Sequence, residues 1–115
     1  LIIKVLDYLG INSGNKVKNK FEKSGLTAVK SEFVDAPLIA ELPLALECKF
    51  ISYNEESELM LAEIVNVSAD KKTLDEKGNL LIEKLDVVCY DPASHGYYAL
   101  GSRVGNAFSD GKTIV

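Results

Sequence analysis

Two clusters carry the side chains best suited to chemistry. The turn Ser13-Gly14-Asn15-Lys16 combines a hydroxyl, a flexible backbone, an amide and a cation. Toward the other end, His95, Tyr97 and Tyr98 follow an Asp91-Pro92 turn. His95 is the sole histidine. A histidine metal site or a Ser-His-Asp triad would therefore rest on one residue, and no nucleophile motif accompanies it. Cys48 and Cys89 lie in apolar, strand-like runs at a spacing that fits neither zinc nor thioredoxin patterns. The expectation is two buried free thiols in a reducing cytoplasm. Gly101-Ser102-Arg103-Val104-Gly105 does not follow the dinucleotide fingerprint, and no βαβ unit surrounds it. Arg103 and Lys112 read as solvated surface charges.

Each cluster has two readings. The 13–16 turn either touches a ligand or is a loop between helices, with Ser13 or Asn15 capping the next element. His95 and a tyrosine either line a ligand site, or the tyrosines pack across a sheet while His95 sits exposed in a turn. Strand alternation puts Tyr97 and Tyr98 on opposite faces, so at most one faces a given pocket.

The elements that must position these residues are mostly strands. Ile2, Val5, Leu6 and Leu9 recur at helical spacing, with Gly10 as the expected stop. A short helix is expected over 17–24, anchored by Phe21 and closed by Gly25. Residues 26–43, with Pro37 and Pro43, read as extended and irregular. Leu44, Leu46, Cys48 and Phe50 alternate with Ala45, Glu47 and Lys49, the period of a half-buried strand whose polar face is solvated. After the polar turn 54–58, residues 59–67 read as its hairpin partner, with no clear inside face because Met60, Ala62 and Ile64 compete with Leu61, Val65 and Val67, the pattern that a strand buried on both faces would show. The charged stretch 70–77 reads as a solvated loop, and 81–85 as a helical turn. Residues 87–90 and 97–100 are two further strands.

Composition bounds the function. The chain has 115 residues, 13 Lys and Arg against 17 Asp and Glu, and a net charge of -4. That balance argues against a nucleic-acid clamp. No apolar run approaches the ~20 residues of a membrane helix. The expectation is a cytoplasmic protein with no nucleic-acid or membrane partner, residues 1–115 forming a single domain. Four confident strands are fewer than a closed barrel needs. Either strands hide in 26–43 and 102–115, or another segment or subunit completes the sheet. The first residue is Leu1 and the only Met is Met60, which reads as the edge of a longer protein.

Three ordered segments resemble the flavin reductase-like, flavoredoxin-type FMN-binding split barrels, over essentially the whole chain. The first is Asp7-Tyr8-Leu9-Gly10-Ile11, Ser13-Gly14, Lys20-Phe21-Glu22 and Gly25-Leu26-Thr27. The second is Ala36-Pro37-Leu38-Ile39, Leu44-Ala45-Leu46-Glu47-Cys48-Lys49 and Ala62-Glu63-Ile64. The third is Tyr90-Asp91-Pro92, His95, Tyr97-Tyr98, Leu100-Gly101, Gly105 and Ala107-Phe108. The resemblance implies a mainly β (α+β) fold, an antiparallel Greek-key split barrel with peripheral helices. It implies non-covalent FMN near the interface of a homodimer, and an oxidoreductase or electron-transfer function with a possible electron-transfer protein as partner. It implies further that the chain is the C-terminal part of a domain of about 190 residues, an incomplete barrel lacking N-terminal strands.

Within that resemblance, Ser13, Gly14, Asn15 and Lys16 are candidates for the flavin periphery, and His95, Tyr97 and Tyr98 for the flavin wall or substrate entrance. NADH or NADPH is the candidate electron donor. Many members that reduce free flavin carry a histidine in the turn that here reads Asn54-Glu55-Glu56-Ser57-Glu58. Its absence keeps a flavoredoxin-like carrier without its own NAD(P)H activity open as the alternative, beside a cofactor-free interaction protein.

Overall fold

A computed structural model describes residues 3–114. Helix α1 (Ile3–Ile11) half-buries Val5 and Leu9, while Leu6 is more exposed; Ile2, expected on the same face, lies outside the described residues. The helix runs through Gly10 rather than stopping there. The Asn12 side-chain amide donates to the Tyr8 carbonyl at 2.8 Å and closes the last turn in place of a glycine cap. Helix α2 (Lys20–Ser24) does end as expected, on Gly25 at φ 74, whose N–H reaches the Glu22 carbonyl. It starts later than Val17 because Asn19 sits in the left-handed region at φ 56.

Two strands were hidden in the irregular stretch. β1 (Ala28–Lys30) pairs antiparallel with β2 (Pro37–Ile39), with Pro37 at the strand's first position opposite Lys30. β3 (Leu44–Asn54) and β4 (Leu59–Ala69) form a long antiparallel ribbon, irregular between Glu47 and Cys48 and between Phe50 and Ser52. β5 (Val88–Asp91) and β6 (Gly96–Ala99) make a third hairpin, Tyr90 opposite Tyr97 and Cys89 opposite Tyr98. No strand forms over 102–114, which holds only a 3-10 turn at Asp110–Thr113. The described strands thus make three separate two-stranded sheets, none closed, as expected of part of a split barrel.

Burial departs from the sequence pattern in four places. Neither cysteine is buried: Cys48 and Cys89 are both exposed, and neither is in a disulfide. β4 is not covered on both faces, since Leu59, Met60, Leu61, Ile64 and Val67 are all exposed. Glu47, expected in solvent, is 2% exposed. The charged stretch 70–77 is not a plain solvated loop. Lys71–Thr73 is a 3-10 turn capped by Asp70, and Thr73 is fully buried, its hydroxyl donating to the Asp70 carbonyl at 2.6 Å. The expected turn near 81–85 is a 3-10 turn at Ile82–Lys84.

The apolar departures share a cause. Among the described residues no apolar side chain is buried. The accessible surface is 9895 Å², against about 6,200 Å² for a compact monomer of this mass. The radius of gyration is 17.7 Å, where a compact chain of this length has about 13 Å. The apolar faces are left open among the described residues. No described helix is long and apolar enough to cross a membrane.

Candidate functional site

The β5–β6 hairpin organises the second cluster from its turn outward. Asp91 ends β5 and folds the turn onto itself. Its carboxylate accepts from the Ala93 N–H at 2.9 Å, the Ser94 N–H at 3.1 Å and the Ser94 hydroxyl at 2.5 Å. The Ser94 hydroxyl, then the Ala93 N–H, hold the Asp91 carboxyl below its ordinary range. His95 takes φ 53, a left-handed position that histidine tolerates better than most residues. Gly96 fits a tight approach: a Cβ there would sit 3.0 Å from the Tyr98 ring and 3.1 Å from Ser94 Oγ, so these side chains would have to give way.

Cross-strand pairing then separates the tyrosines. Tyr90 and Tyr97 share one face, ring centroids 5.6 Å apart and tilted by 52°. The Tyr90 hydroxyl lies 3.0 Å from His95 Nδ1. The Tyr97 hydroxyl crosses to α1 and donates to Asp7 Oδ1 at 3.1 Å. Desolvation, then the Asp7 carboxylate, raise the Tyr97 phenol above its ordinary value of 10.0. Tyr98 points to the other face with Cys89, its hydroxyl 3.2 Å from Ser94 Oγ. Tyr97 and Tyr98 therefore do not face one pocket.

In the first cluster, Ser13, Gly14, Asn15 and Lys16 are all exposed. Ser13 serves its own turn: its carbonyl accepts from the Lys16 and Val17 N–H groups at 3.1 and 3.0 Å, and its hydroxyl from the Asn15 N–H at 3.3 Å. No hydrogen bond joins the two clusters among the described residues. They are linked through α1, because Asp7 lies one helical turn, about 6 Å, before the end of the helix that leads into Ser13.

Tyr90, Asp7, Asp91 and Ser94 are the members that sequence reasoning did not single out as site residues. Asp91-Ser94 at i, i+3 is a readable turn signal. The Asp7–Tyr97 contact spans 90 residues and leaves none.

The main concavities lie elsewhere. A groove of about 620 Å³ runs between α1 and the segments around 39–43 and 84–88, floored by Leu6, Leu9, Leu26, Ile39 and Val88. A smaller one of about 240 Å³ sits within residues 28–37. None of the seven candidate residues lines either.

No family model matches the chain. An uncharacterized protein of Aquifex aeolicus (strain VF5) is 37% identical over 68 residues, 57% of this chain and 35% of that protein. Flavoredoxin of Desulfovibrio vulgaris (Miyazaki F) superimposes with a TM-score of 0.86 at 40% identity, over 95% of this chain and 58% of that one. The FMN-binding domain of a flavin reductases-like enzyme from Shewanella baltica OS155 matches at 0.77 and 20% identity, over 91% of this chain and 58% of that one. Nitrilotriacetate monooxygenase component B from Bacillus cereus matches at 0.69 and 19%, over 90% and 54%. The chain's structural neighbours are thus flavoredoxin and flavin reductase-like FMN-binding split-barrel proteins, of which it spans little more than half the length.

Proposed function

We propose that this chain is part of an FMN-binding oxidoreductase of the flavin reductase-like kind, working as a cytoplasmic homodimer with FMN near the interface. Electrons pass from a reduced nicotinamide or a protein donor, through FMN, to an acceptor. The 40% identity to flavoredoxin across 95% of the chain carries this reading.

The residues present fit part of such a site. Lys16 is an exposed cation on the 13–16 turn, a charge that a phosphate can take. Tyr98 and His95 offer exposed ring surface at the hairpin. Since Tyr97 is turned toward Asp7, its role is to hold the hairpin against α1 rather than to touch the ring. FMN, when bound, supplies the hydride and electron chemistry, so the protein need offer only binding and orientation.

A second reading is favoured by one turn. Between β3 and β4, Asn54 Oδ1 accepts from the Ser57 N–H at 2.8 Å and from its hydroxyl at 3.0 Å, and no imidazole is present. That suits a flavoredoxin-like carrier fed by a protein donor. The test is optical. A purified protein with a flavin absorbance band supports the reading, and a protein that holds no flavin even with added FMN sinks it. Stopped-flow bleaching of the band by NADH or NADPH favours the reductase; bleaching only by a ferredoxin-like donor favours the carrier.

A further inference from the structure

Tyrosine gives up an electron readily only where its proton can leave with it, because the oxidised phenol is a strong acid. A base already hydrogen-bonded to the hydroxyl therefore favours one tyrosine over another, as it does in any proton transfer. The β5–β6 hairpin holds two such phenols in contact. The Tyr97 hydroxyl donates to Asp7 Oδ1 at 3.1 Å. The Tyr90 hydroxyl lies 3.0 Å from His95 Nδ1, which accepts the bond when the neutral imidazole carries its proton on Nε2. Between them the two rings pack with centroids 5.6 Å apart, within the contact range of aromatic pairs. Every member of this row belongs to α1, β5, β6 or the turn between the two strands. The row therefore does not depend on what covers the open apolar faces.

Tyr98 is the internal comparison. It lies on the same hairpin and is as exposed as Tyr90, 56% against 54%. Its hydroxyl faces Ser94 Oγ at 3.2 Å, a group already bonded to Asp91 and not a base. The two bases of the row also differ. An imidazole is a stronger base than a carboxylate, and Tyr97 is half-buried where Tyr90 reaches solvent. Both differences draw an oxidising equivalent outward, from Tyr97 to Tyr90. The chain has no tryptophan to compete for it.

We propose that Tyr97 and Tyr90 form an outlet for oxidising equivalents, a two-step, one-electron relay with Asp7 and His95 as its proton acceptors. A diffusible oxidising radical takes one electron from Tyr97 and leaves as its anion, while the phenol proton passes to Asp7 Oδ1. Tyr90 then gives an electron to the Tyr97 radical. Asp7 returns its proton to the Tyr97 oxygen, and the Tyr90 proton moves to His95 Nδ1. The products are the anion, a tyrosyl radical at Tyr90 and a protonated His95. The relay is independent of FMN binding and of the oligomeric state.

The experiment uses azidyl radicals, generated by pulse radiolysis, with a nitroso spin trap and peptide mass mapping of the trapped tyrosines. The parent chain carries Cys48→Ser and Cys89→Ser, so that no thiol takes the radical. Tyr90 is expected to carry about tenfold more adduct than Tyr98, a modest share of what a positioned base contributes to proton transfer. His95→Gln, whose amide still accepts a hydrogen bond but takes no proton, brings Tyr90 down to the level of Tyr98. Asp7→Asn and Tyr97→Phe lower the Tyr90 adduct by less, and circular dichroism checks that each variant keeps the fold. Equal labelling of Tyr90 and Tyr98 in the parent chain overturns the proposal whatever the variants do. A Tyr90 preference that His95→Gln leaves intact also overturns it, because packing alone then accounts for the preference. An unchanged Tyr90 yield in both Asp7→Asn and Tyr97→Phe overturns the two-step relay.

Discussion

Three residues apart on β3, Glu47 is 2% exposed and Phe50 is 67% exposed. The polar residue is inside and the aromatic outside, the reverse of the usual sorting. The difference lies in what covers each face of the ribbon. On the Glu47 face, the strap after β1 folds over the strand. Glu47 Oε1 accepts from the Glu32 and Phe33 N–H groups at 2.9 Å each, and Oε2 from the Asn66 amide at 2.5 Å. The Ser31 hydroxyl, donating to the Val34 carbonyl, tightens the same strap. On the other face, Leu46, Phe50, Ile64 and Val67 have no cover. A buried carboxylate is tolerable when backbone donors surround it. A contiguous apolar face left bare is the kind of surface that contact with another segment or chain would cover.

The widest break in that comparison comes from Phe50. In the 115-residue chain alone, Phe50→Ala is expected to shift stability by no more than about 0.5 kcal/mol, as surface substitutions do. In the proposed homodimer, if it covers this face, the same change is expected to cost about 3 kcal/mol or more. Chemical denaturation of both forms measures the contrast. Equal effects in the two would mean that the face stays open.

Glu47 gives the next effect, and in the opposite sense. Glu47→Ala strands the Glu32 and Phe33 N–H groups and frees the strap in the isolated chain as much as in the assembly. A melting temperature lower by about 10 °C is expected, by the usual conversion for a domain of this size. Glu47→Gln keeps one acceptor and loses about half as much. Thermal melts with hydrogen exchange at residues 31–36 test it, and unchanged protection there would remove the strap from the account.

Acid should act on the same face. The Phe33 N–H, then the Asn66 amide, hold the Glu47 carboxyl below its ordinary 4.5, and Asp91 lies below its 3.8 for the reasons given. A carboxylate whose folded pKa is depressed adds stability that is full above its unfolded pKa and is lost as pH falls toward the folded one. Melting temperature should therefore be flat near neutrality and fall progressively below about pH 4.5. In Glu47→Gln the fall should be shallower; an unchanged slope would assign the acid sensitivity to other groups.

How much of this was legible follows from the range of each interaction. The β3–β4 hairpin, the existence of β5 and β6 and the Gly25 cap follow from local alternation and turn residues, and these need no partner. The opposite facing of Tyr97 and Tyr98 followed from period two, and the register carries it. Ala28–Lys30 and Pro37–Ile39 were not legible as strands because three residues hold too little pattern to outweigh a proline. Glu47 was misplaced because alternation names a face, not its cover; the strap that covers it lies 14 and 15 residues upstream. The cysteines were misplaced for the converse reason. Their runs are apolar as core strands are, but the described residues supply nothing to lie over them. At the candidate site, the hairpin turn was readable and its tie to α1 was not.

That tie sets the smallest and most specific effect. Tyr97→Phe removes only the hydroxyl that donates to Asp7. The ring still packs on Tyr90, so the hairpin should persist while its hold on α1 weakens. A loss of about 5 °C in melting temperature is expected for one part-exposed bond. The alkaline limb separates this bond from mere packing. Because the Tyr97 phenol is raised by desolvation and by Asp7, its contribution is full below the ordinary tyrosine pKa and drains away as pH climbs from 10 through the higher folded value. Wild type should therefore lose stability above pH 10 more steeply than Tyr97→Phe, and Asp7→Asn should lie between them, since its amide oxygen still accepts the bond without the charge. Parallel alkaline limbs in all three would reduce the Asp7–Tyr97 contact to a bystander and leave the hairpin held to α1 by packing alone.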